Sequence, residues 1–197
     1  IEEALSQSQR QRTVQASQGG GPLSFSFDML GEGARTEHDA RRYAQAYEQA
    51  LSQIAAAAQA QVKAQATGDA QNDMRPSPQR RDGISIKLSA LFSRYEVHQR
   101  ERVFAELLPR VWRLVEQAAQ ADINLTIDAE ESERLELSLD VFEALAQRIA
   151  NVYPQWTGFG LAVQAYQTRS LEVVHEVVRI ARRWGLKFMV RLVKGAY

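Results

Sequence analysis

Ile84-Ser-Ile-Lys-Leu-Ser-Ala90 alternates between apolar and polar side chains. A period of two reads as a β-strand with one face packed on a core. The polar parity, Ser85, Lys87 and Ser89, is the informative half, because an ammonium on an inner strand needs a partner or water. The pattern recurs. Ser24, Ser26 and Asp28 oppose Phe25, Phe27 and Met29, while Thr126, Asp128 and Glu130 oppose Leu125, Ile127 and Ala129. Gln164 opposes Val163 and Ala165, and Arg191 opposes Val190 and Leu192. Five successive strands, over 23–29, 84–90, 123–130, 158–166 and 187–197, thus carry Asp28, Lys87, Asp128, Gln164 and Arg191 on one parity. The last strand, Lys187–Tyr197, reads as buried, so the Arg191 guanidinium must meet an anion, a ligand or water.

Helical spacing fills the intervals. Thr36-Glu-His-Asp39 resembles a capping box, and Tyr43, Tyr47, Leu51 and Ile54 form an apolar stripe on a helix reaching about Ala66. Further helices are expected over 97–121, from a cap at Ser132 or Ser138 to about Asn151, and over 170–184 with Gly185 as the stop. Strict strand–helix alternation implies a parallel sheet with right-handed crossovers. A doubly wound sheet and a (β/α)8 barrel both satisfy it. Central strands of a doubly wound sheet are apolar on both parities. One polar parity fits a barrel, whose inward side chains meet at the C-terminal mouth. The expected fold is therefore α/β, a (β/α)8 barrel over 23–197, of which the chain supplies about the first five β/α units. Residues 1–22 read as a polar N-terminal segment with weak helical spacing, ending in the linker Gly19-Gly-Gly-Pro22. Residues 67–82, with Pro76 and Pro78, read as a mobile polar loop.

Composition narrows the function. Across 197 residues, 24 Lys+Arg balance 24 Asp+Glu, so no net field draws the chain to nucleic acid or an acidic membrane. No cysteine is present, which removes disulfides, thiolate metal sites and cysteine nucleophiles. His38, His98 and His175 are scattered on helical stretches, and no apolar run approaches a membrane span. The start is not a signal peptide, and the sequence reads as part of a longer chain. Two cations, two or three carboxylates and an amide at strand ends suit a small anionic ligand. Asp128 and Glu130 share a strand face and could hold magnesium, but the lumen cations oppose it, so no metal ligands are expected. Lys87 could instead form a Schiff base. From the residues alone the reading is an enzyme acting on a small anionic substrate, with the reaction open.

The stretches FSFDMLGE, GISIKLSAL, IDAEESERLELSLD, AVQAYQ and RLVKGAY, in that order from about Leu23 to Tyr197, resemble the signature strands of the flavin-dependent proline dehydrogenase family, its bifunctional bacterial members above all. The resemblance implies a distorted (β/α)8 barrel holding FAD non-covalently at its C-terminal strand ends. It implies oxidation of L-proline to Δ1-pyrroline-5-carboxylate and transfer of electrons to a membrane quinone, in a cytoplasmic protein with peripheral membrane contact. An aldehyde dehydrogenase domain using NAD would follow in the same polypeptide and yield glutamate. Lys87, Asp128 and Arg191 would carry the catalysis. Arg191 would lie against the isoalloxazine, Gln164 would hydrogen-bond it, and Val193, Lys194, Gly195 and Tyr197 would line the flavin or substrate pocket. Lys87 would pair with the proline carboxylate, Asp128 would lie below the substrate and near the cofactor, and Glu130 would be close by. Asp28 and Glu32 would cover the site, Glu32 pairing with an arginine from a late helix. The family's arginine clamp and strands six to eight have no counterpart before Tyr197. Five strands leave two open edges, so these residues alone are not expected to form a stable, active barrel without the missing C-terminal part. A homo-oligomer is left open, and no nucleic acid is expected on this segment. Two readings outside the family remain: a Schiff-base lyase using Lys87, and a non-catalytic barrel fragment.

Overall fold

A computed structural model of the chain describes residues 1–29, 33–66 and 77–195. Glu32, Tyr197 and most of the expected 67–82 loop lie outside the described residues. The elements are α1 (Glu2–Ser17), β1 (Ser26–Asp28), α2 (Glu37–Ala66), β2 (Gly83–Ile86) and a one-turn α3 (Leu88–Leu91). They continue with α4 (Arg100–Arg102), α5 (Leu108–Gln120), β3 (Asn124–Ile127), α6 (Leu135–Val152), β4 (Phe159–Gln164), α7 (Ser170–Trp184) and β5 (Met189–Val193).

All strand pairs are parallel and the sheet order is β1-β2-β3-β4-β5. Each strand lies beside the next one in sequence. A doubly wound sheet reverses at a switch point; this one does not, and advances as the wall of a barrel. The chain thus forms a partial (β/α) barrel. Ile84, Ile86, Leu125, Ile127, Leu161 and Val163 join Leu51 and Ile54 of α2, Leu114 of α5, Val141 and Leu145 of α6 and Ile180 of α7 in one core. Fully burying each such side chain contributes about 1.5–3 kcal/mol. Phe142 stacks on Phe159 at 4.7 Å and meets Phe188 edge-on at 4.8 Å, fixing α6 against the β4–β5 side.

Local signals explain the helix ends. The capping box closes reciprocally: Asp39 N–H donates to Thr36 Oγ1 at 3.1 Å, and Thr36 N–H donates to Asp39 Oδ2 at 3.0 Å. Gly185 stops α7 at φ +64°, a left-handed conformation that disfavours a Cβ. A π turn (Val103–Leu107) joins α4 to α5. Pro109 follows it and lacks the N–H that a regular turn would use there.

Three expectations need correction. The strands are shorter than their alternation suggested; β2 stops at Ile86, and Leu88–Leu91 turns helical instead of running on to Ala90. Neither Ser132 nor Ser138 caps α6, which starts after a 3-10 turn at Ser132–Arg134; Ser138 Oγ instead lies 2.7 Å from the Tyr95 hydroxyl. The weak helical spacing of residues 1–17 is borne out by α1 (Glu2–Ser17). That helix docks through Arg12, which pairs with the buried Asp82 and covers the Phe25 ring at 4.8 Å. Finally, β5 is exposed rather than buried, with Val190 at 45% and Leu192 at 64%; among the described residues it pairs with β4 alone.

Candidate active site

The polar parity converges at the C-terminal ends of the strands. Lys87 follows β2 and donates through Nζ to Asp28 Oδ1 and Oδ2 at 3.2 and 3.3 Å. The same ammonium lies 3.4 Å from Asp128 Oδ2. Asp128 turns its other oxygen to Arg191 of β5, forming a direct ion pair. The second arm of the Arg191 guanidinium donates to Ser85 Oγ at 2.8 Å, and Ser85 Oγ is 3.3 Å from Ser26 Oγ of β1. One connected network therefore runs across the ends of β1, β2, β3 and β5. The guanidinium meets its anion as charge in a sheet requires, although its strand is exposed.

Burial grades this network. Asp128 is the enclosed member, its side chain 9% exposed, whereas Asp28 and Arg191 are each 43% exposed. Burial pushes the Asp128 carboxyl above the ordinary aspartate range, against the pull of Arg191 and Lys87. For Lys87, burial alone would lower the ammonium's pKa, but Asp28 and Asp128 outweigh it and raise the value. The Lys87 ammonium is thus held charged beside a carboxylate that ionises reluctantly.

The remaining expected residues are arranged around this network. Glu130 does not join it; its Oε1 accepts from Ser89 N–H at 3.1 Å and its Oε2 lies 3.4 Å from Arg134. Burial pushes this carboxyl up, against Ser89 and Arg134. Gln164 ends β4 in register with Val193, the residue two beyond the Ala162–Arg191 pair. With Asp128, Glu130 and Phe142, Gln164 lines an adjoining cavity of about 290 Å³ between the β3 and β4 ends and helices α6 and α7. Lys87, Asp28 and Arg191 do not line that cavity, so it is a neighbour of the ionic network rather than its interior. Val193, Lys194 and Gly195 leave β5 at the same end, the last two exposed. No group of three or more carboxylate or histidine side chains poised for a metal occurs among the described residues.

Sequence reasoning missed two contributors. Ser85 was read only as a small polar residue, yet it holds Arg191. Tyr47 was read as one apolar-stripe position of α2, yet its hydroxyl accepts from Lys87 N–H at 3.3 Å. A tyrosine in a stripe of leucine and isoleucine was the available signal, since a buried hydroxyl usually finds a partner.

Comparison with known proteins agrees with this architecture. The proline dehydrogenase family model matches residues 10–197. The chain is 42% identical over 175 residues to the bifunctional protein PutA of Escherichia coli, covering 88% of this chain and 12% of that relative. The PutA of Rhizobium meliloti is 53% identical over 115 residues, covering 58% of this chain and 9% of the relative. A crystal structure of Bradyrhizobium japonicum proline utilization A superposes with a TM-score of 0.75 at 48% identity, over 88% of this chain and 16% of that one. The enzyme from Bdellovibrio bacteriovorus, at 24% identity, shares the fold with a TM-score of 0.76 over 99% of this chain and 19% of that one. The chain therefore spans only a small part of the proteins it matches, and over that part it belongs to the proline dehydrogenase family.

Proposed function

We propose that this chain supplies the substrate side of a barrel that oxidises L-proline to Δ1-pyrroline-5-carboxylate. In this reading the complete barrel would hold FAD, which would supply the acceptor for hydride from the ring carbon beside nitrogen, and a quinone would take the electrons onward. The observation that carries it is the Lys87–Asp128–Arg191 network across the strand ends, with Asp28 at its rim. A small amino acid with an anionic carboxylate needs a fixed cation, and Lys87 is one.

The residues present fit a flavin. The Arg191 guanidinium is tethered by Ser85 and Asp128 yet remains 43% exposed, and the Gln164 amide ends the neighbouring strand. A guanidinium and an amide suit the nitrogen and carbonyl edge of an isoalloxazine, and Val193, Lys194 and Gly195 offer backbone beside it. When bound, FAD would supply the hydride acceptor. The chain's own groups do the rest: Lys87 binds the carboxylate and orients the ring, and Arg191 offsets negative charge at the acceptor. Asp128 keeps both cations in place. Asp28 and, by the family resemblance, Glu32 would cover the site, and Tyr197 would line it. A substrate amine that binds deprotonated needs no strong general base. The Schiff-base alternative requires a neutral lysine; the raised Lys87 pKa counts against it.

The relatives are bifunctional proteins of which the chain spans 12%, which supports an attached aldehyde dehydrogenase domain using NAD. The exposed edge of β5 supports a barrel that continues in further strands, without which the segment would be inactive. Among the described residues no helix is long and apolar enough to cross a membrane. The test is the visible spectrum of the full-length protein. Flavin absorption that bleaches on adding L-proline, with dye reduction, is expected. Protein purified without flavin, or flavin indifferent to proline, would refute the proposal.

A further inference from the structure

Strand β2 passes into α3 at one residue, Lys87, and buried side chains from elsewhere in the fold hold that corner. Lys87 is extended, at φ −105° and ψ 128°, immediately before the turn. Its N–H donates to the hydroxyl of Tyr47, which is 1% exposed within α2. Two residues on, Ser89 N–H donates to Glu130, whose side chain is 7% exposed and is steadied by Arg134. The first N–H groups of a helical turn have no partner inside it. Here two are satisfied by side chains, in a turn whose four residues are all buried. The far side is tied as well: Ala34 N–H donates to the Ser89 carbonyl at 2.9 Å, and Arg110 donates to the Leu91 carbonyl. A backbone held from three directions fixes where the Lys87 side chain points, between Asp28 and Asp128.

We infer that Tyr47 and Glu130 are positioning residues for Lys87, aiming its ammonium at the substrate carboxylate through their hydrogen bonds to the backbone of residues 87–89. The inference rests on the proposed role of Lys87 as the carboxylate contact. Glu130 then acts through Ser89 rather than on the substrate.

The test uses the full-length, flavin-loaded protein and cyclopentanecarboxylate, which keeps a ring and a carboxylate but cannot be oxidised as an amine. Inhibition constants are measured for Tyr47→Phe, Glu130→Gln, Glu130→Ala and Lys87→Met, and for Tyr47→Phe and Glu130→Ala combined with Lys87→Met. Tyr47→Phe removes one oxygen and should raise the inhibition constant about three- to ten-fold, the scale of one hydrogen bond. kcat should stay within about two-fold and flavin content should not change. Glu130→Ala should act similarly and Glu130→Gln, which keeps an acceptor, should largely restore the parent value. In the Lys87→Met background both effects should vanish, because no ammonium remains to be aimed. Effects that persist there, or a Tyr47→Phe protein with the parent constant, overturn the inference. Lys87→Met with an unchanged constant overturns the substrate assignment and the inference together. If Tyr47→Phe fails to fold, the Glu130 variants decide by the same criterion.

Discussion

Replacing Lys87 by methionine removes one charge and leaves an unbranched side chain of similar reach. In the folded protein the ammonium touches Asp28 at 3.2 and 3.3 Å and Asp128 at 3.4 Å. Asp128 keeps Arg191 in the variant, and Asp28 is well exposed. An exposed pair of this kind contributes about 0–1 kcal/mol, so the fold should lose only roughly 1 kcal/mol. Substrate binding should suffer far more. With Lys87 present, the Asp28 and Asp128 carboxylates are balanced by Lys87 and Arg191; without it, negative charge dominates where an anionic substrate must bind. A charge-assisted hydrogen bond is worth about 1.5–3 kcal/mol, or about a 10- to 150-fold rise in KM. Turnover should fall less, because the hydride step does not pass through this nitrogen. Dye-linked kinetics of the full-length protein across proline concentrations measure the effect, with flavin absorbance per polypeptide as the control. A KM within about two-fold of the parent at equal flavin content would refute the Lys87 assignment. The pH dependence carries a second check. A lysine whose pKa is raised in the folded state keeps its charge, and the binding it supports, below its ordinary 10.5, losing both only as pH rises through the higher folded value. The inhibition constant of a non-oxidisable ring carboxylate should therefore be flat from about pH 6 to about pH 9. A rise centred inside that window would mean that the ammonium is depressed instead.

Two glycines should respond unequally to alanine. At Gly160 a Cβ would lie 2.2 Å from the Met189 carbonyl oxygen, so Gly160→Ala must part β4 from β5 and should cost about 3 kcal/mol and much of the bound flavin. At Gly185, φ is +64° with nothing within 4 Å, so only the left-handed backbone opposes the change, at roughly 1 kcal/mol. Equal thermal shifts in the two variants would contradict the close β4–β5 approach. Arg12→Ala strands the Asp82 carboxylate, 1% exposed, with the Phe25 N–H at 2.9 Å as its remaining hydrogen bond. A buried unpaired charge costs about 3–5 kcal/mol. The ratio of protease cleavage rates at the Gly19–Pro22 linker, variant over parent, reports it, and a ratio near one would refute the account.

Much of the architecture was legible because strand alternation and helix punctuation are local. Gly185 ends α7 as its stop chemistry suggested, and Thr36 with Asp39 closes the box that opens α2. The repeated polar parity also anticipated that Asp28, Lys87, Asp128 and Arg191 would meet, since parallel neighbours in sequence order bring equivalent strand ends to one rim. Strand lengths were not legible. Ser85 through Ser89 alternates without a break, but the ladder ends at Ile86 because Lys87 N–H is taken by a tyrosine 40 residues away.

The linear order of side chains determined the alternation of strands and helices and the polar group carried at each strand end. Each of these depends on residues a few positions apart, where periodicity and steric preference act directly. Only the tertiary structure decided which charge faces which: that Arg191 rests on Ser85 and Asp128, that Glu130 turns away to the α3 backbone, and that β5 lies open to solvent. Those outcomes follow from packing and from the need of every buried donor to find an acceptor, and neither constraint acts between residues until the chain has folded.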